Sequence, residues 1–167
     1  MTSPFTALQE PTAAELNLAV QKVVARGKRT SNSGSTTTEV GVLRLDNVSL
    51  KEGYLYWICT GNLNIDGGTN NNNIGARLRM STSGAAGTSD TLMQAMNYDQ
   101  QSAAASEAGA GILASYTPGA DETGSFLLSV AAFVGAPTVS MLGSATQPIE
   151  LFVVNMGIDP GDTGVDV

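Results

Sequence analysis

The sequence contains no histidine, and Cys59 is its only cysteine. Without histidine, neither a Ser–His nor a Cys–His catalytic pair can form, and the commonest metal-binding side chain is missing. One cysteine cannot form an intrachain disulfide or a thiolate zinc site, which indicates a protein made in a reducing cytoplasm. Cys59 follows the apolar run Tyr54–Ile58 and is expected to be a buried, inert thiol. We therefore predict a protein that is not an enzyme, with no catalytic residue, no cofactor and no metal.

Carboxylates and amides offer the remaining chemistry, and two segments are rich in them. Asp121 and Glu122 lie in a stretch with proline and glycine that is typical of a hairpin turn, so acid–base catalysis is not expected there. The segment Asn64–Asn73 could in principle offer Asp66 and several asparagine oxygens to calcium. It lacks the DxDxDG spacing and the distal glutamate of a helical calcium loop. We interpret it as a solvated connection between strands.

Long apolar runs are also missing. No stretch approaches the run of about 18 apolar residues that a membrane span requires. The segment Met1–Phe5 shows no basic region followed by an apolar core, so it is not interpreted as a secretory signal. These features predict no membrane partner.

Basic residues are missing from the second half of the chain. All eight lysines and arginines lie before Met80, whereas nine acids follow it, and the net charge is −7. Because affinity for duplexes comes mainly from Lys and Arg on phosphates, no nucleic-acid partner is expected. The basic group Lys22, Arg26, Lys28 and Arg29 either faces an acidic partner or lies at the solvated end of a helix.

The first part of the chain has the pattern of a short amphipathic helix. Thr12 and Glu15 match a capping box, and Gly27 is well placed as the helix end. A helix of about 14 residues is marginal alone in water, so its apolar stripe must rest on its own domain, on sister copies or on a partner. The polar stretch Thr30–Thr38 is typical of a flexible linker. Residues 1–36 are thus predicted to be an anchoring segment, whose candidate partner-binding residues are Leu16, Val20, Val23, Val24, Lys22 and Arg26.

The rest of the chain has the pattern of an all-β domain over residues 37–159, followed by an acidic tail at 160–167. Short segments with alternating or apolar character are separated by Gly, Pro, Asn and Asp, which favours a jelly-roll-like β-sandwich. A helix within Gln94–Ala110 is an alternative for that segment, because it is rich in alanine. The nine predicted strands begin near Val40, Tyr54, Asn62, Ile74, Thr91, Gly111, Ser125, Thr138 and Ile149.

Three segments carry a resemblance to a known group of proteins. Gly41–Gly53 resembles the opening of small virion proteins of tailed phages that infect actinobacteria. Gln147–Gly157, followed by Pro160–Val165, is similar to the end of the same proteins. Leu8–Asn17 resembles a leader common in phage head and tail appendage proteins. The resemblance covers most of the chain loosely, and implies a β-sandwich assembled as a trimer on a capsid or tail, without catalytic residues.

Two functions follow as expectations from the residues and the resemblance together. The first is a capsid decoration protein on the surface of the virion, a homotrimer that binds the major capsid protein or another virion protein. The second is a tail or head fibre component that recognises the host surface. The sequence has few aromatic residues, and Tyr54, Tyr56 and Trp57 are crowded into one strand, which favours core or interface packing over sugar binding. A small-molecule-binding sandwich unrelated to phages is a third interpretation.

Overall fold

A computed structural model describes residues 21–68, 72–100, 107–109, 111–134 and 137–161. These residues form eleven β-strands that pair antiparallel, which confirms the prediction of an all-β fold. The described residues contain no helix that is long and apolar enough to cross a membrane. The strands are β1 Lys22–Arg29, β2 Val40–Leu50, β3 Tyr54–Thr60, β4 Leu63–Asp66, β5 Asn72–Ser81, β6 Thr91–Gln100, β7 Glu107–Gly109, β8 Leu113–Tyr116, β9 Glu122–Val134, β10 Ser140–Met141 and β11 Ile149–Ile158.

The strands form three sheets. Sheet I has the order β1-β11-β3-β8, and sheet II has the order β2-β9-β5-β6. Sheet III is small, with the order β10-β4-β7. Strands that are neighbours in a sheet are often far apart in the chain, as when Lys22 pairs with Asn155. The topology is therefore held by long-range pairing.

Sheets I and II pack face to face around one hydrophobic core, as in a β-sandwich. The alternation of side chains along each strand sends every second residue inward. In sheet I, Tyr56 and Ile58 are buried, and in sheet II the same holds for Leu78 and Phe126. Gly27 on β1 lies so close to sheet II that a Cβ there would stand 2.9 Å from Leu45 Cδ2. This close approach explains a glycine in the middle of a strand.

The predicted N-terminal helix is wrong where the structure describes it. Residues from Lys22 to Gly27 lie in β1, which pairs with β11 from Lys22 opposite Asn155 to Arg29 opposite Ile149. Val23 and Val24 are β-branched and suit a strand, and the pairing with β11 outweighs the local helical pattern. The first part of that prediction, residues 12–20, lies outside the described residues.

The segment that was predicted to be a flexible linker is held by the sandwich. The Ser33 amide donates to the Met141 carbonyl at 2.9 Å, and Thr36 exchanges hydrogen bonds with Val139 at 2.9 and 2.7 Å. Arg29 Nη1 also donates to the Val42 carbonyl at 3.0 Å. Polar composition indicated a linker, but backbone groups pair regardless of side chain. Strand β1 and residues 30–36 are therefore part of the folded body, although they precede the predicted domain start at 37.

Each of the nine predicted strands coincides with a strand of the structure, and two strands were missed. Strand β1 was assigned to a helix, and β7 lies in the alanine-rich segment for which a helix was an alternative. The start of that segment is strand β6, while residues 101–106 lie outside the described part. Strand β11 reaches Ile158, and tail residues 162–167 lie outside the described part as well.

Candidate functional site

The outer side of sheet I carries two rows of side chains that cross all four strands. Residues that pair directly in antiparallel strands project to the same side of the sheet. Because Tyr56, Ile58 and Val153 are buried in the core, their sequence neighbours on the same strands project outward. The first row is Val23, Val154, Trp57 and Ser115, and the second is Arg26, Phe152, Cys59 and Leu113. We call these eight residues the Trp57 face.

The Trp57 face is apolar and open to solvent. Its exposed fractions are 52% for Val23, 40% for Trp57 and 50% for Leu113. Phe152 and Val154, in the centre of the sheet on β11, are half-buried. Six of the eight side chains in the two rows are apolar if the cysteine is included. An outward sheet face normally carries polar side chains, so this one is unusual for a free surface.

Arg26 is the charged member of the two rows, and its charge is partly neutralised. Its guanidinium lies 5.4 Å from the centroid of the Phe152 ring, within range of a cation–π contact. It also forms an ion pair with Glu150, whose side chain is 20% exposed against 56% for Arg26. Lys28 stands opposite Glu150 in the pairing of β1 with β11. Positive charge thus lines the β1 margin of the face.

Cys59 lies on the Trp57 face and is partly buried instead of enclosed in the core. Burial raises the pKa of its thiol. A raised pKa disfavours the thiolate, which is the nucleophilic form. The raised pKa is consistent with the interpretation of Cys59 as an unreactive thiol. Its predicted full burial is wrong, because the side chain lies partly buried on the outer side of β3.

The structure divides the six predicted partner-binding residues. Val23 and Arg26 belong to the Trp57 face, Lys22 lies at the start of β1, and Val24 is 38% exposed at an irregularity in the pairing with β11. Leu16 and Val20 lie outside the described residues. The helical stripe that grouped these residues does not exist from Lys22 onward.

Sequence reasoning missed the other members of the Trp57 face. Trp57 stands out of phase with Tyr56 and Ile58, which are 1% and 0% exposed. Two-residue alternation therefore places Trp57 outside if its neighbours are in the core. That signal separates Trp57 from Tyr56, whereas the crowding of Tyr54, Tyr56 and Trp57 alone predicts only core or interface packing for all three. The sequence of a single strand does not predict the pairing that brings Leu113 and Phe152 beside Cys59.

The outer side of sheet II is closed by a polar network, in contrast to the Trp57 face. Glu39 accepts hydrogen bonds from Arg79 Nε at 2.6 Å, from Arg79 Nη2 at 2.8 Å and from Ser129 Oγ at 2.6 Å. It also forms an ion pair with Arg77, whose guanidinium lies 4.6 Å from the centroid of the Phe133 ring. We call Glu39, Arg77, Arg79 and Ser129 the Glu39 network. Its one carboxylate bridges two guanidinium groups.

The Glu39 network shifts the titration of its carboxylate. Burial raises the pKa of Glu39, but the hydrogen bonds from Arg79, Ser129 and Arg77 outweigh this and lower the pKa to about 2. The same carboxylate raises the pKa of Arg79 through its hydrogen bonds. Both groups are therefore charged at neutral pH. The network binds residue 39, just before β2, to strands β5 and β9.

A cleft of about 310 Å³ opens beside the core, where the end of β5 and the start of β6 approach β8. Its lining includes Asp90 and Tyr116, and both are engaged in local hydrogen bonds. The Asp90 carboxylate accepts from the Gly87 amide at 2.7 Å, and the Tyr116 hydroxyl donates to Glu122 at 2.5 Å. This hydrogen bond, with burial, raises the pKa of Tyr116 to about 12. The Ser81 and Ser83 hydroxyls of the lining lie within hydrogen-bond distance of each other, at 3.3 Å.

The acidic residues singled out in the sequence lie at strand ends: Asp66 ends β4, Glu122 begins β9, and Asp121 precedes it. Asp121 accepts from the Glu52 amide at 2.9 Å and from Lys51 Nζ at 3.1 Å, which lowers the pKa of Asp121. Asp66 accepts from the Gly68 amide at 2.9 Å, as in a short turn. Within the described ranges, no group of three or more His, Cys, Asp or Glu side chains is placed to hold a metal ion.

Comparisons with known proteins assign no family. No protein-family model matches the chain, and no curated protein matches it. A chain from a structure described as "CBM4 structure and function" is similar at 9% identity, over 72% of this chain and 92% of that chain, with a TM-score of 0.39. A chain from "Structure of infectious bursal disease virus Gx strain" is similar at 10% identity, over 85% of this chain and 37% of that chain, with a TM-score of 0.29. At such TM-scores neither likeness bears on the fold or the function.

Proposed function

We propose that this protein is a structural virion protein, a capsid decoration protein that binds the outside of a phage head as an oligomer. The observation that carries the proposal is the Trp57 face. Exposed apolar patches with a polar rim mark protein–protein contacts on soluble proteins. The lone tryptophan and the half-buried Phe152 are the kind of aromatic side chains that are enriched at such contacts.

The strand order supports the finer assignment of a jelly roll. Strands β4, β7 and β10 form sheet III and can be set aside. If the remaining eight strands are numbered 1 to 8 in chain order, sheet I becomes 1-8-3-6 and sheet II becomes 2-7-4-5. Successive strands then pass from one four-stranded antiparallel sheet to the other, except strands 4 and 5, which are neighbours in sheet II, as in a jelly roll. This architecture is used by viral capsid domains and also by lectins, so it does not choose between functions.

The proposal of a virion protein rests on the resemblance of Gly41–Gly53 and Gln147–Gly157 to phage virion proteins. The same resemblance is the basis for proposing a homotrimer. The major capsid protein, or another virion protein, is the proposed partner. We assign the contact with the shell to residues 1–20 of the anchoring segment, which include Leu16 and Val20. Residues from Lys22 onward belong to the sandwich instead. The basic margin at β1 adjoins that segment, and would add a salt-sensitive attraction to an acidic shell.

Co-sedimentation with undecorated particles tests the proposal. The full chain is expected to bind, and the Val20→Asp variant is expected to lose binding, because a carboxylate would be buried without a partner. A truncation at Gln21 keeps all of β1 and should fold but not bind. A cut at residue 36, by contrast, would remove a paired strand and could not separate the contact with the shell from the fold. Failure of the full chain to bind particles would contradict the proposal.

Host-surface recognition by a tail or head fibre component is the second candidate, and the exposure of Trp57 favours it. An exposed indole offers a planar aromatic surface on which a sugar ring can stack. If this is the function, Trp57→Ala should abolish binding to host-cell glycans, while Val20→Asp should leave it unchanged. Binding to glycans with no binding to particles would favour this candidate over decoration.

A further inference from the structure

We infer that the Trp57 face is covered by a second copy of this chain. The inference rests on the proposed function, since it names the partner that makes the decoration protein an oligomer. It concerns the described face of sheet I, and does not depend on residues 1–20.

The first argument is the chemistry of the face. Contacts between identical subunits are more apolar than the remaining surface, and resemble a core that has been divided. The two rows place Val154 and Phe152 at the centre, with Trp57 and Cys59 on one side and Val23 on the other. Apolar sheet faces in sandwiches pack on each other at about 10 Å. A second apolar surface therefore suits this face better than water does.

The second argument is area. Strands β1, β11 and β3 each contribute about 24 Å of length and the four-residue β8 about 14 Å, at a spacing of ~4.8 Å, which gives a face of about 400 Å² in projection. Two such faces remove roughly 800 Å² from water, before the relief of the side chains is counted, whereas stable specific interfaces bury about 1,200 Å² or more. The contact is therefore at the small end of the range, and a weak association of two copies is expected. Association should reverse on dilution.

The third argument is charge. Strand β1 carries four of the eight basic residues, and forms one margin of the face. On the face itself, Arg26 is paired with Glu150, and its guanidinium contacts Phe152. The centre of the face therefore brings no unpaired charge into a contact between two copies, and the other basic residues of β1 stay at its margin.

The outer face of sheet II is not a second exposed apolar face. There, Glu39 matches Arg77 and Arg79, and Leu127 is only 5% exposed. Leu92 lies on that side opposite Arg79 and is 47% exposed, close to the 50% of Leu113 on the Trp57 face. Leu92 therefore provides a matched control for Leu113: both are leucines of equal exposure, on opposite outer sides of the sandwich.

Sedimentation equilibrium of the full chain, Leu113→Asp and Leu92→Asp is the main experiment. The full chain and Leu92→Asp are expected to form the same oligomer, whereas Leu113→Asp should raise the dissociation constant at least tenfold, because it buries a carboxylate in the contact. A full chain that stays monomeric across the micromolar range would overturn the inference. So would an oligomer that Leu113→Asp leaves intact.

Tryptophan fluorescence provides a second test, which uses the unmodified protein and needs no variant. Trp57 is the only tryptophan, so its quenching by acrylamide reports the face directly. Quenching should increase when the unmodified protein is diluted through its dissociation range. Quenching that is weak at every dilution would mean that the same chain covers the face, and would overturn the inference. Trp57 that is fully accessible at every concentration, until particles or glycans are added, would also overturn it, in favour of a foreign partner.

The inference and the proposed function can fail separately. A monomer that binds undecorated particles would contradict the inference and leave the decoration function standing. An oligomer that depends on Leu113 but binds no particle would support the inference and contradict the function. An oligomer of two copies that depends on Leu113 would support the inference and correct the proposed trimer.

Discussion

Replacement of Glu39 by glutamine tests the network on the outer side of sheet II. Glu39 accepts four hydrogen bonds or ion-pair contacts from Arg77, Arg79 and Ser129, which lie on strands β5 and β9. Glutamine keeps the shape of the side chain but removes the negative charge. It also turns an amide group toward guanidinium donors. Both changes destabilise the folded protein.

The magnitude follows from the titration of Glu39. Its pKa falls from 4.5 to about 2 on folding. At ~1.36 kcal/mol for each pKa unit, this corresponds to about 3.4 kcal/mol. Solvent screens a network on an outer sheet face, so we expect about 1–2 kcal/mol. For a domain of this size, that lowers the melting temperature by roughly 2–8 °C.

The pH dependence has a definite sign. The pKa of Glu39 is lower in the folded than in the unfolded protein, so its ionised form stabilises the fold. This contribution is fully present above about pH 4.5, and is lost as the pH falls through the folded value of about 2. In the Glu39→Gln variant, that part of the acid sensitivity should disappear. The difference between the two proteins should therefore shrink toward low pH.

Urea and thermal unfolding at a fixed protein concentration, from neutral pH to about pH 2.5, measure both effects. Asp46→Asn is the matched control, since it removes the carboxylate of the exposed Arg44–Asp46 pair, with side chains 46% and 37% exposed. The control should lose less than about 0.5 kcal/mol. If Glu39→Gln loses no more than Asp46→Asn, or keeps the acid sensitivity of the unmodified protein, the reasoning about the network is refuted.

Three further predictions concern other parts of the fold. A Cβ on Gly75 would stand 1.9 Å from the Met96 carbonyl oxygen, so Gly75→Ala should prevent folding or cost more than about 2 kcal/mol in urea unfolding, whereas Gly119→Ala, with nothing within 4 Å, should be neutral. Tyr116→Phe removes the hydroxyl that donates to Glu122 and should cost about 1 kcal/mol; an unchanged urea midpoint would argue against that bond. Chelator and reductant should leave the melting temperature unchanged within error, and a large drop with chelator alone would restore the calcium interpretation of the segment around Asp66.

The secondary structure of the sandwich could be predicted from the sequence wherever a strand carries its own pattern. Alternation at Ile74, Ala76, Leu78 and Met80 gave β5, and the inward side of that strand is buried as predicted. Strand β1 was missed because its apolar residues recur at intervals of three and four, and a capping box precedes them. Both features are typical of a helix and compete with a strand pattern. What decides the outcome is β11, more than 100 positions away, whose backbone pairs with Lys22–Arg29.

The sites depend on the same long-range pairing. No local pattern links Glu39 to Arg77, Arg79 and Ser129, because the contact requires β2, β5 and β9 to be neighbours in sheet II. In the same way, Cys59 and Leu113 become neighbours only when β3 pairs with β8. Sequence reasoning reaches the residues of a strand and the side on which they lie. It does not reach the partner strand.

One deduction about sheet I was nevertheless within reach of the sequence. In a two-layer sandwich, each antiparallel sheet has one side in the core and one side in water, so its strands should alternate between apolar and polar residues. Strand β5 follows this rule, with Arg77 and Arg79 on the outer side, and β9 follows it in part, since Ser125 and Ser129 share that side with the buried Leu127 and Ala131. Strand β3 does not: Leu55, Trp57 and Cys59 alternate with Tyr56 and Ile58, so both sides are apolar. Strand β11 repeats this, since Phe152 and Val154 alternate with Leu151 and Val153.

Two neighbouring strands that are apolar on both sides imply a sheet between two apolar layers. The structure supplies one layer, because Tyr56, Ile58, Leu151 and Val153 all lie in the core shared with sheet II. The described residues supply no second layer, since Trp57 on the opposite side is 40% exposed. The alternation in β3 and β11 thus agrees with our proposal that a second copy of the chain covers the Trp57 face.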